Sequence, residues 1–368
     1  MRHWEIAKIA KQFCIESVFS NAQTCGNGHI NDTFKTVFNK DGVENSYIIQ
    51  RINHNVFKHP ETLMDNIVRV TEHIRKKLQM KNTDNIYRRV LTLILTLEGN
   101  SYHKDEDGNY WRVYNFINNA ETYDVCPSLE LIREGAKAFG NFQNLLSDLP
   151  GSSLHETIPD FHNVPQRLEA FKKVLQEDKY DRTGNAKREI KFLMDHSQIY
   201  DLLGGMVQEG KIPLRVTHND AKINNVMFDE KTAEALCVID LDTVMPGLSL
   251  YDFGDIVRTT ISEAAEDEKD LSKVLIDTSR FEAIAKGYLS SAKAFLNETE
   301  IENLLLGVET IILEQAVRFL ADHIAGDTYY KIHRKNHNLD RCRTQIRLFE
   351  QISQRGKLLK EIVDMYKD

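Results

Sequence analysis

Two short β-type runs, Val226-Met227-Phe228 and Leu236-Cys237-Val238-Ile239, stand either side of the polar turn Asp229-Glu230-Lys231-Thr232. Such runs, broken by a turn, predict a hairpin, and a hairpin returns its two ends to one place. Asn225 stands just before the first run and Asp240 just after the second. Upstream, Leu214-Arg215-Val216 reads as a strand that delivers His218 and then Asp220 to a loop. Any one of these residues alone is an ordinary turn cap or strand end. Together they gather an amide and two carboxylates, and like charges held together need a use. Phosphoryl transfer from a nucleotide needs a carboxylate to orient and deprotonate the attacking hydroxyl. It also needs an amide oxygen and a second carboxylate to hold the metal that bridges the phosphates.

Composition narrows the field. The chain has 368 residues, 41% apolar and 28% charged, enough core for two domains or one large two-lobed unit. Net charge is −8 and no Lys/Arg cluster marks a groove, so nucleic acid is set aside as a partner. No apolar run reaches the ~18 residues of a membrane span. The opening MRHWEIAKIAKQF carries charges throughout, with Trp4, Ile6, Ile9 and Phe13 at helical spacing. It reads as an amphipathic helix rather than a signal peptide. Five scattered cysteines without a CxxC point to a reducing cytoplasm.

The pattern His218-x-Asp220-x4-Asn225 followed by Ile239-Asp240 resembles the aminoglycoside-phosphotransferase/choline-kinase superfamily of small-molecule kinases. The strings THNDAKINNVMFD, VIDLDTVMPGLSLYDFGD and RFLADHIAGDTYYK are similar, more narrowly, to its N-acetylhexosamine 1-kinase branch. The resemblance spans nearly the whole chain. It implies an α+β, two-lobed protein-kinase-like fold with a small β-rich N-lobe and a larger, mainly helical C-lobe. It also implies ATP as co-substrate and Mg2+ as cofactor. Asp220 is then the base, and Asn225 and Asp240 are metal ligands. Asp242, on the strand face of Asp240, is a ligand for a second magnesium. His218 and Asp252 are expected to hold the catalytic loop. The letters Asp252-Phe253-Gly254 invite a kinase reading of their own, yet they open a predicted helix; the metal carboxylate is better placed at Asp240, and Asp255 reads as a helix or surface residue.

The first lobe is expected over residues 1–117, with five strands and two helices, and the second over 118–368. Gly26, Asn27, Gly28 and His29 lie in a loop between the opening helix and the strands Phe34–Phe38 and Tyr47–Ile52. Glycine lets backbone amides approach phosphates, so this loop is expected to cover the nucleotide; Asn31 stands where a third kinase glycine would be. The strand that carries the phosphate-binding lysine in kinases offers Gln50 or Arg51 here, and alternation alone does not choose between them. Pro60–Leu78 has helical periodicity and offers Glu61 and Glu72 as partners for such a residue, or as solvated side chains. Val90–Leu97 and Tyr110–Ile117 read as paired strands, with the adenine hinge at Asn115, Phe116 and Ile117.

The remainder reads as mostly helical, with periodic runs over Leu129–Leu146, Phe171–Leu175, Ala186–Met206, Phe281–Phe295 and Glu300–Ile324. Gly205-x4-Gly210-Lys211 matches the start of a Walker A loop, but Ile212 and Pro213 follow and exclude the helix that loop requires. The acidic run Glu263–Asp270 reads as solvated, and His333 with His337 as a solvated basic face. The acceptor is expected in the helical lobe. The branch resemblance points to Arg318, Asp322, Tyr329 and Tyr330, with an N-acetylhexosamine sugar as the partner molecule. Arg318 and Asp322, one helical turn apart, equally suit a surface pair. Rival readings are a kinase for choline, ethanolamine, homoserine or an aminoglycoside, and a nucleotide-binding pseudokinase, kept open by the missing strand lysine.

Overall fold

The structure is a computed structural model and describes residues 3–25, 30–151 and 154–367. The glycine-containing loop Gly26, Asn27, Gly28 and His29 lies outside the described residues. The first part holds helix α1 (His3–Ala10), strands β1 (Val18–Thr24), β2 (Asp32–Lys40) and β3 (Val43–Ile52), helix α2 (Pro60–Met80), and strands β4 (Leu93–Ile94), β5 (His103–Lys104) and β6 (Tyr110–Asn115). These strands form one sheet in the order β1-β2-β3-β6-β4, with β5 also on β6. Six strands stand where the sequence predicts five. Strand β1 escapes the pattern because Ala22 is its one buried residue. The run Val90–Leu97 is not a continuous strand: Leu95 O and Leu97 N bond to Cys14 N and Gln12 O instead of to the sheet.

Alternation along β3 and β6 gives the sheet two different faces. Ile49, Trp111 and Val113 pack on Ile6, Ile9 and Phe13 under α1. Ile52, Tyr110 and Tyr114 pack on Leu63, Met64 and Ile67 of α2. Gln50 and Arg112 are opposite each other in the β3–β6 register and share the α2 face. Arg51 therefore belongs to the other face, where it pairs with Asp32 on the facing strand. That corrects the expectation that Arg51 serves the nucleotide.

The chain then continues through β7 (Ala120–Glu121), α3 (Leu129–Leu146), α4 (Val164–Glu177), α5 (Lys187–Asp195), α6 (Leu202–Gln208), β8 (Arg215–Thr217), β9 (Val226–Asp229), β10 (Ala235–Val238), β11 (Met245–Gly247), α7 (Ser249–Thr260), α8 (Thr278–Ala292), α9 (Glu298–Glu302), α10 (Leu304–Ile324), α11 (His337–Gln354) and α12 (Gly356–Asp364). Strands β9 and β10 form the predicted hairpin, and β7 adds to its β9 edge. Strands β8 and β11 form a second small ladder. The Gly205–Lys211 stretch is the end of α6 and a turn with Gly210 at φ +70°, not a phosphate loop. Glu263–Asp270 and His337 are not a solvated pair of faces: Asp267 binds both Arg334 and the buried His337, whose Nε2 lies 2.8 Å from the carboxylate.

Helices α3 and α8 cross at backbone contact, with Phe139 and Phe142 of α3 packed against His218. A Cβ on Gly287 would overlap the Arg133 carbonyl, and one on Gly140 would sit 2.5 Å from the Tyr288 carbonyl. We expect Gly287→Ala to destabilise the protein by about 1–3 kcal/mol through overpacking. Gly204→Ala, with nothing within 4 Å of the added methyl, should be neutral or stabilising by up to about 1 kcal/mol. Urea unfolding of the two variants checks this; equal midpoints would mean that the crossing relaxes freely.

Candidate active site

Strand β8 feeds the loop His218–Asn225, and β11 runs beside it. Gly247 of β11 leaves room for this approach: a Cβ there would lie 2.5 Å from Asn219 Oδ1. Asn219 has a positive φ of +63°, which asparagine tolerates better than most side chains. Its side chain is used locally, with Oδ1 accepting from Thr217 Oγ1 at 2.9 Å and Nδ2 donating to the Thr243 carbonyl at 2.9 Å.

The buried Asp252, in the first turn of α7, organises the loop backbone. Its carboxylate accepts the His218 N–H at 2.8 Å and the Asn219 N–H at 2.7 Å. Gln143 Nε2 donates to the same carboxylate at 2.6 Å, and Tyr288 Oη donates to Gln143 Oε1 at 2.6 Å. Burial pushes this carboxyl up, against the two backbone N–H donors and Gln143, which pull it down.

His218 is fully buried, with the rings of Phe139 and Phe142 edge-on to it. Its Nε2 meets the Ile239 carbonyl at 2.9 Å and its Nδ1 accepts the Asp220 N–H at 3.3 Å. A carbonyl only accepts and an amide N–H only donates. The ring is therefore the neutral tautomer protonated on Nε2, pinning Asp220 to the end of β10, and both nitrogens are occupied.

Asp220 leaves its carboxylate at the cleft, 29% exposed. Oδ1 is 3.0 Å from Lys222 Nζ, and Oδ2 accepts from Asn225 Nδ2 at 3.2 Å. Burial pushes the carboxyl up, but Lys222 above all, with Arg258, brings it below the ordinary aspartate value. Asn225 Nδ2 also donates to the Asp220 carbonyl at 2.9 Å, which orients the Asn225 amide oxygen as a free acceptor.

Asp240 also has a positive φ, +60°, and its side chain is open to the cleft. Among the described residues no donor reaches its carboxylate. Protein crowded behind it, then the Asp242 and Asp220 carboxylates, push its pKa up to about 6. A carboxylate raised by its like-charged neighbours, beside an unpaired amide oxygen, is a donor set that fits a hard divalent cation.

Asp242 differs from the expectation for a metal ligand. It is buried, bound through both oxygens by the Arg112 guanidinium, with Nη2 to Oδ2 at 3.0 Å, and Asn31 Nδ2 donates to Oδ2 at 2.6 Å. Gln50 reaches the same place indirectly, its Oε1 accepting from Arg112 Nε at 3.0 Å and its Nε2 donating to Thr33 Oγ1 at 2.9 Å. Neither proposed helix carboxylate joins them: Glu61 accepts from Tyr110 Oη at 2.5 Å and Glu72 is exposed. At the expected hinge, the Asn115 side chain holds the Tyr87–Thr92 segment, with Oδ1 on the Thr92 N–H at 3.1 Å and Nδ2 on the Tyr87 carbonyl at 3.2 Å. Phe116 lies beneath Lys35, whose Nζ is 4.0 Å from the ring centre. Asp255 is buried and bonds Arg258 Nε at 2.8 Å.

The four residues expected to meet the acceptor lie along α10 and the loop after it. Arg318 stacks on Phe161 and Tyr330, 5.4 and 5.8 Å from the ring centres. Tyr329 is exposed and packs on Tyr330. Asp322 is buried and organises the loop, accepting N–H groups from Thr328, Tyr329 and Tyr330 and Asn338 Nδ2, all within 3.0 Å. That saturated carboxylate has little left for a ligand, which corrects the expectation of a direct contact. On another side of the catalytic loop a cavity of about 310 Å3 is lined by Lys222, Asn224, Arg258, Glu266, Tyr123 and Gln345, among others.

Sequence reasoning missed Arg112, Lys222, Gln143, His162 and Glu314. The last two join α10 to the His218–Asn225 loop. His162 lies 2.8 Å from Glu314 and 3.0 Å from the Asn219 carbonyl. Both partners only accept, so both ring nitrogens must carry protons. Burial opposes that charge, but Glu314 and the Asn219 carbonyl overcome it and hold the His162 pKa above its ordinary value. Correspondingly, burial raises the Glu314 carboxyl and His162, with Arg318 and Arg167, pulls it below the usual range.

A raised native pKa means that the folded state binds the proton more tightly than the unfolded chain does. The His162 contribution is therefore full below the ordinary histidine pKa and fades as pH rises through the raised native value. We expect the stability gap between wild type and His162→Gln to be about 3–5 kcal/mol at pH 5.5 and to shrink toward pH 9. Urea melts at half-unit steps check it; a gap flat across that range would make the ring neutral.

With this geometry in view, comparison with known proteins gives one consistent answer. The family model described as "Phosphotransferase enzyme family" matches residues 22–277. An aminoglycoside phosphotransferase from Alicyclobacillus acidocaldarius is similar in structure, with a TM-score of 0.63 at 11% identity, covering 98% of this chain and 96% of that one. A choline kinase from Cryptosporidium parvum gives 0.62 at 14% identity, covering 99% of each chain. A spectinomycin phosphotransferase in complex with ADP and spectinomycin gives 0.58 at 13% identity, covering 100% and 99%. At such identities the structures show the two-lobed kinase-like fold, while the family match spans well over half of the sequence. The chain belongs to the phosphotransferase enzyme family.

Proposed function

We propose that this protein is an ATP-dependent kinase of a small hydroxylated acceptor, and that the acceptor is an N-acetylhexosamine phosphorylated on its anomeric hydroxyl. The observation that carries the kinase reading is the state of the three cleft carboxylates. Asp220 is kept ionised beside Lys222, Asp242 is paired with Arg112, and Asp240 has no donor among the described residues. The ADP bound in the spectinomycin phosphotransferase supports the nucleotide. In this reading residues 1–117 cover the nucleotide and residues 118–368 hold the acceptor.

Asp220 orients the acceptor hydroxyl and accepts its proton as the oxygen takes the γ-phosphoryl group and the bond to ADP breaks. Lys222 holds the carboxylate in place and keeps it charged. Asn225 through its amide oxygen and Asp240 through its carboxylate would hold Mg2+, which when bound neutralises phosphate charge. His218 keeps the loop in register and transfers no proton, since both of its nitrogens are occupied. Gln50, with the glycine-containing loop Gly26–His29, is assigned to the phosphate end of the nucleotide. Phe116 is assigned to the adenine end, its surface half-buried.

The acceptor reading rests on the wall formed by Phe161, Arg318, Tyr329 and Tyr330. Aromatic faces with a few directional donors suit an uncharged polar ring. A cationic acceptor such as choline would meet the Arg318 guanidinium, which repels it. Asp322 fixes the loop that carries Tyr329 and Tyr330 and acts on the acceptor through them.

The test is ADP release with Mg-ATP across N-acetylglucosamine, N-acetylgalactosamine, unacetylated hexoses, choline, homoserine and kanamycin. We expect turnover with the acetylated hexosamines. Asp220→Asn should lower kcat by about 10²–10⁴-fold with an unchanged melting temperature. Arg318→Ala should raise the sugar KM more than it lowers kcat. Turnover of choline or kanamycin alone would move the acceptor assignment; an Asp220→Asn enzyme with wild-type turnover would remove the base.

A further inference from the structure

The sheet face that meets the cleft lacks the strand lysine of protein kinases, and the helix packed on it offers no carboxylate to such a lysine. At that level α2 presents Met64, whose sulfur lies 4.0 Å from Arg112 Nη1. A cation nevertheless stands there, delivered from the neighbouring strand. Arg112 is opposite Gln50 in the β3–β6 register and is 1% exposed. A guanidinium buried this far cannot be left unpaired. Its Nε donates to Gln50, and its fork closes on both oxygens of Asp242, 130 positions away in the sequence.

Asp242 sits two residues past Asp240, inside the tight turn Leu241–Thr243. The same carboxylate takes the Asn31 side chain, and Asn31 Oδ1 in turn accepts the Asn53 N–H at 2.9 Å. The next residue along the turn is held as well: Asn66 of α2 donates to the Val244 carbonyl at 3.0 Å. The turn that carries Asp240 is thus fastened to the sheet by Arg112, to the end of the glycine-containing loop by Asn31, and to α2 by Asn66. Asp240 itself, with positive φ and no donor among the described residues, has its place set by its backbone neighbours, this turn on one side and Ile239, held by His218 and Asn225, on the other.

We propose that Arg112 is a positioning residue: clamped on Asp242 and braced by Gln50, it registers the Asp240 turn against the strand sheet. This rests on the kinase reading above. Arg112 touches neither substrate nor metal in this role. A planar fork that bridges both carboxylate oxygens fixes orientation as well as distance, which a lysine does not.

The test reads nucleotide binding, so it needs no acceptor. ADP affinity is measured by calorimetry with and without Mg2+, and Mn2+ binding to the ADP complex by electron paramagnetic resonance. We expect Arg112→Met to weaken Mn2+ binding to the ADP complex by about 10–100-fold, the usual effect of losing a residue that orients a metal ligand. ADP affinity without metal should stay within about threefold of wild type, since the proposal places Arg112 off the nucleotide. Arg112→Lys should recover part of the loss. Asp242→Asn should lose as much as Arg112→Met, and the double variant no more than either. A folded Arg112→Met protein with wild-type Mn2+ binding overturns the proposal, as does an equal loss with and without metal. If Arg112→Met does not fold, Asn31→Ala, which removes one support of Asp242 at a less buried place, decides between the same outcomes. A wild-type protein that binds no nucleotide at all overturns the kinase reading and this proposal together; the variant results overturn the proposal alone.

Discussion

The peptide between His218 and Asp220 is gripped from both sides, and the rest of the site depends on it. Asp252 takes the Asn219 N–H and His162 takes the Asn219 carbonyl. Both grips are charge-assisted hydrogen bonds in a buried setting, the kind roughly twice as strong as neutral ones. Each has its own support: Asp252 has Gln143 and Tyr288 behind it, and His162 has Glu314. A loop held through its backbone can present Asp220 without using the Asp220 side chain, which stays available at the cleft.

The site's charge arrangement follows from the same economy of partners. Three aspartates converge, and two receive a cation from the protein, Lys222 on Asp220 and Arg112 on Asp242. The third, Asp240, receives none among the described residues and is pushed up to about 6 by crowding and by the other two. Among the described residues this leaves one carboxylate without a cation where an amide oxygen also lacks a donor. That local deficit, rather than the net charge of the whole chain, gives the cleft its fitness for a cation.

Much of this was legible in the sequence because it is local. The spacing of Asp220, Asn225 and Asp240 around two short β runs is enough to predict a hairpin that brings them together, and strands β9 and β10 form it. The periodic helices were legible for the same reason; α3 spans Leu129–Leu146 as its apolar spacing implies. Residues whose partners are distant in sequence were not. Arg112 sits in the strand Tyr-Trp-Arg-Val-Tyr-Asn, where a charge amid aromatic residues was itself a signal of a buried pair. Glu314 and Arg318 similarly interrupt the apolar helix α10. His162 carries no periodic signal, since it precedes a helix and works through a backbone carbonyl. The polar β1 strand and the aperiodic Val90–Leu97 run misled for the opposite reason: their hydrogen-bond partners, rather than their side chains, decide their structure.

The choice of arginine on β6 has a consequence for how the two lobes hold together. A buried guanidinium and a buried carboxylate are each costly to desolvate, and removing either partner typically costs about 3–5 kcal/mol. That makes the pair nearly obligatory once either is present, since losing one partner leaves the other as an unpaired charge in the interior. An exposed pair such as Lys8–Glu106 imposes no such constraint, because water replaces the lost partner. The two-point fork instead fixes how the Asp240 turn lies against β6, in orientation as well as distance. Under the proposed kinase reading, a turn fastened in this way keeps Asp240 in register before any ligand arrives, so a nucleotide and its metal would not first have to order it.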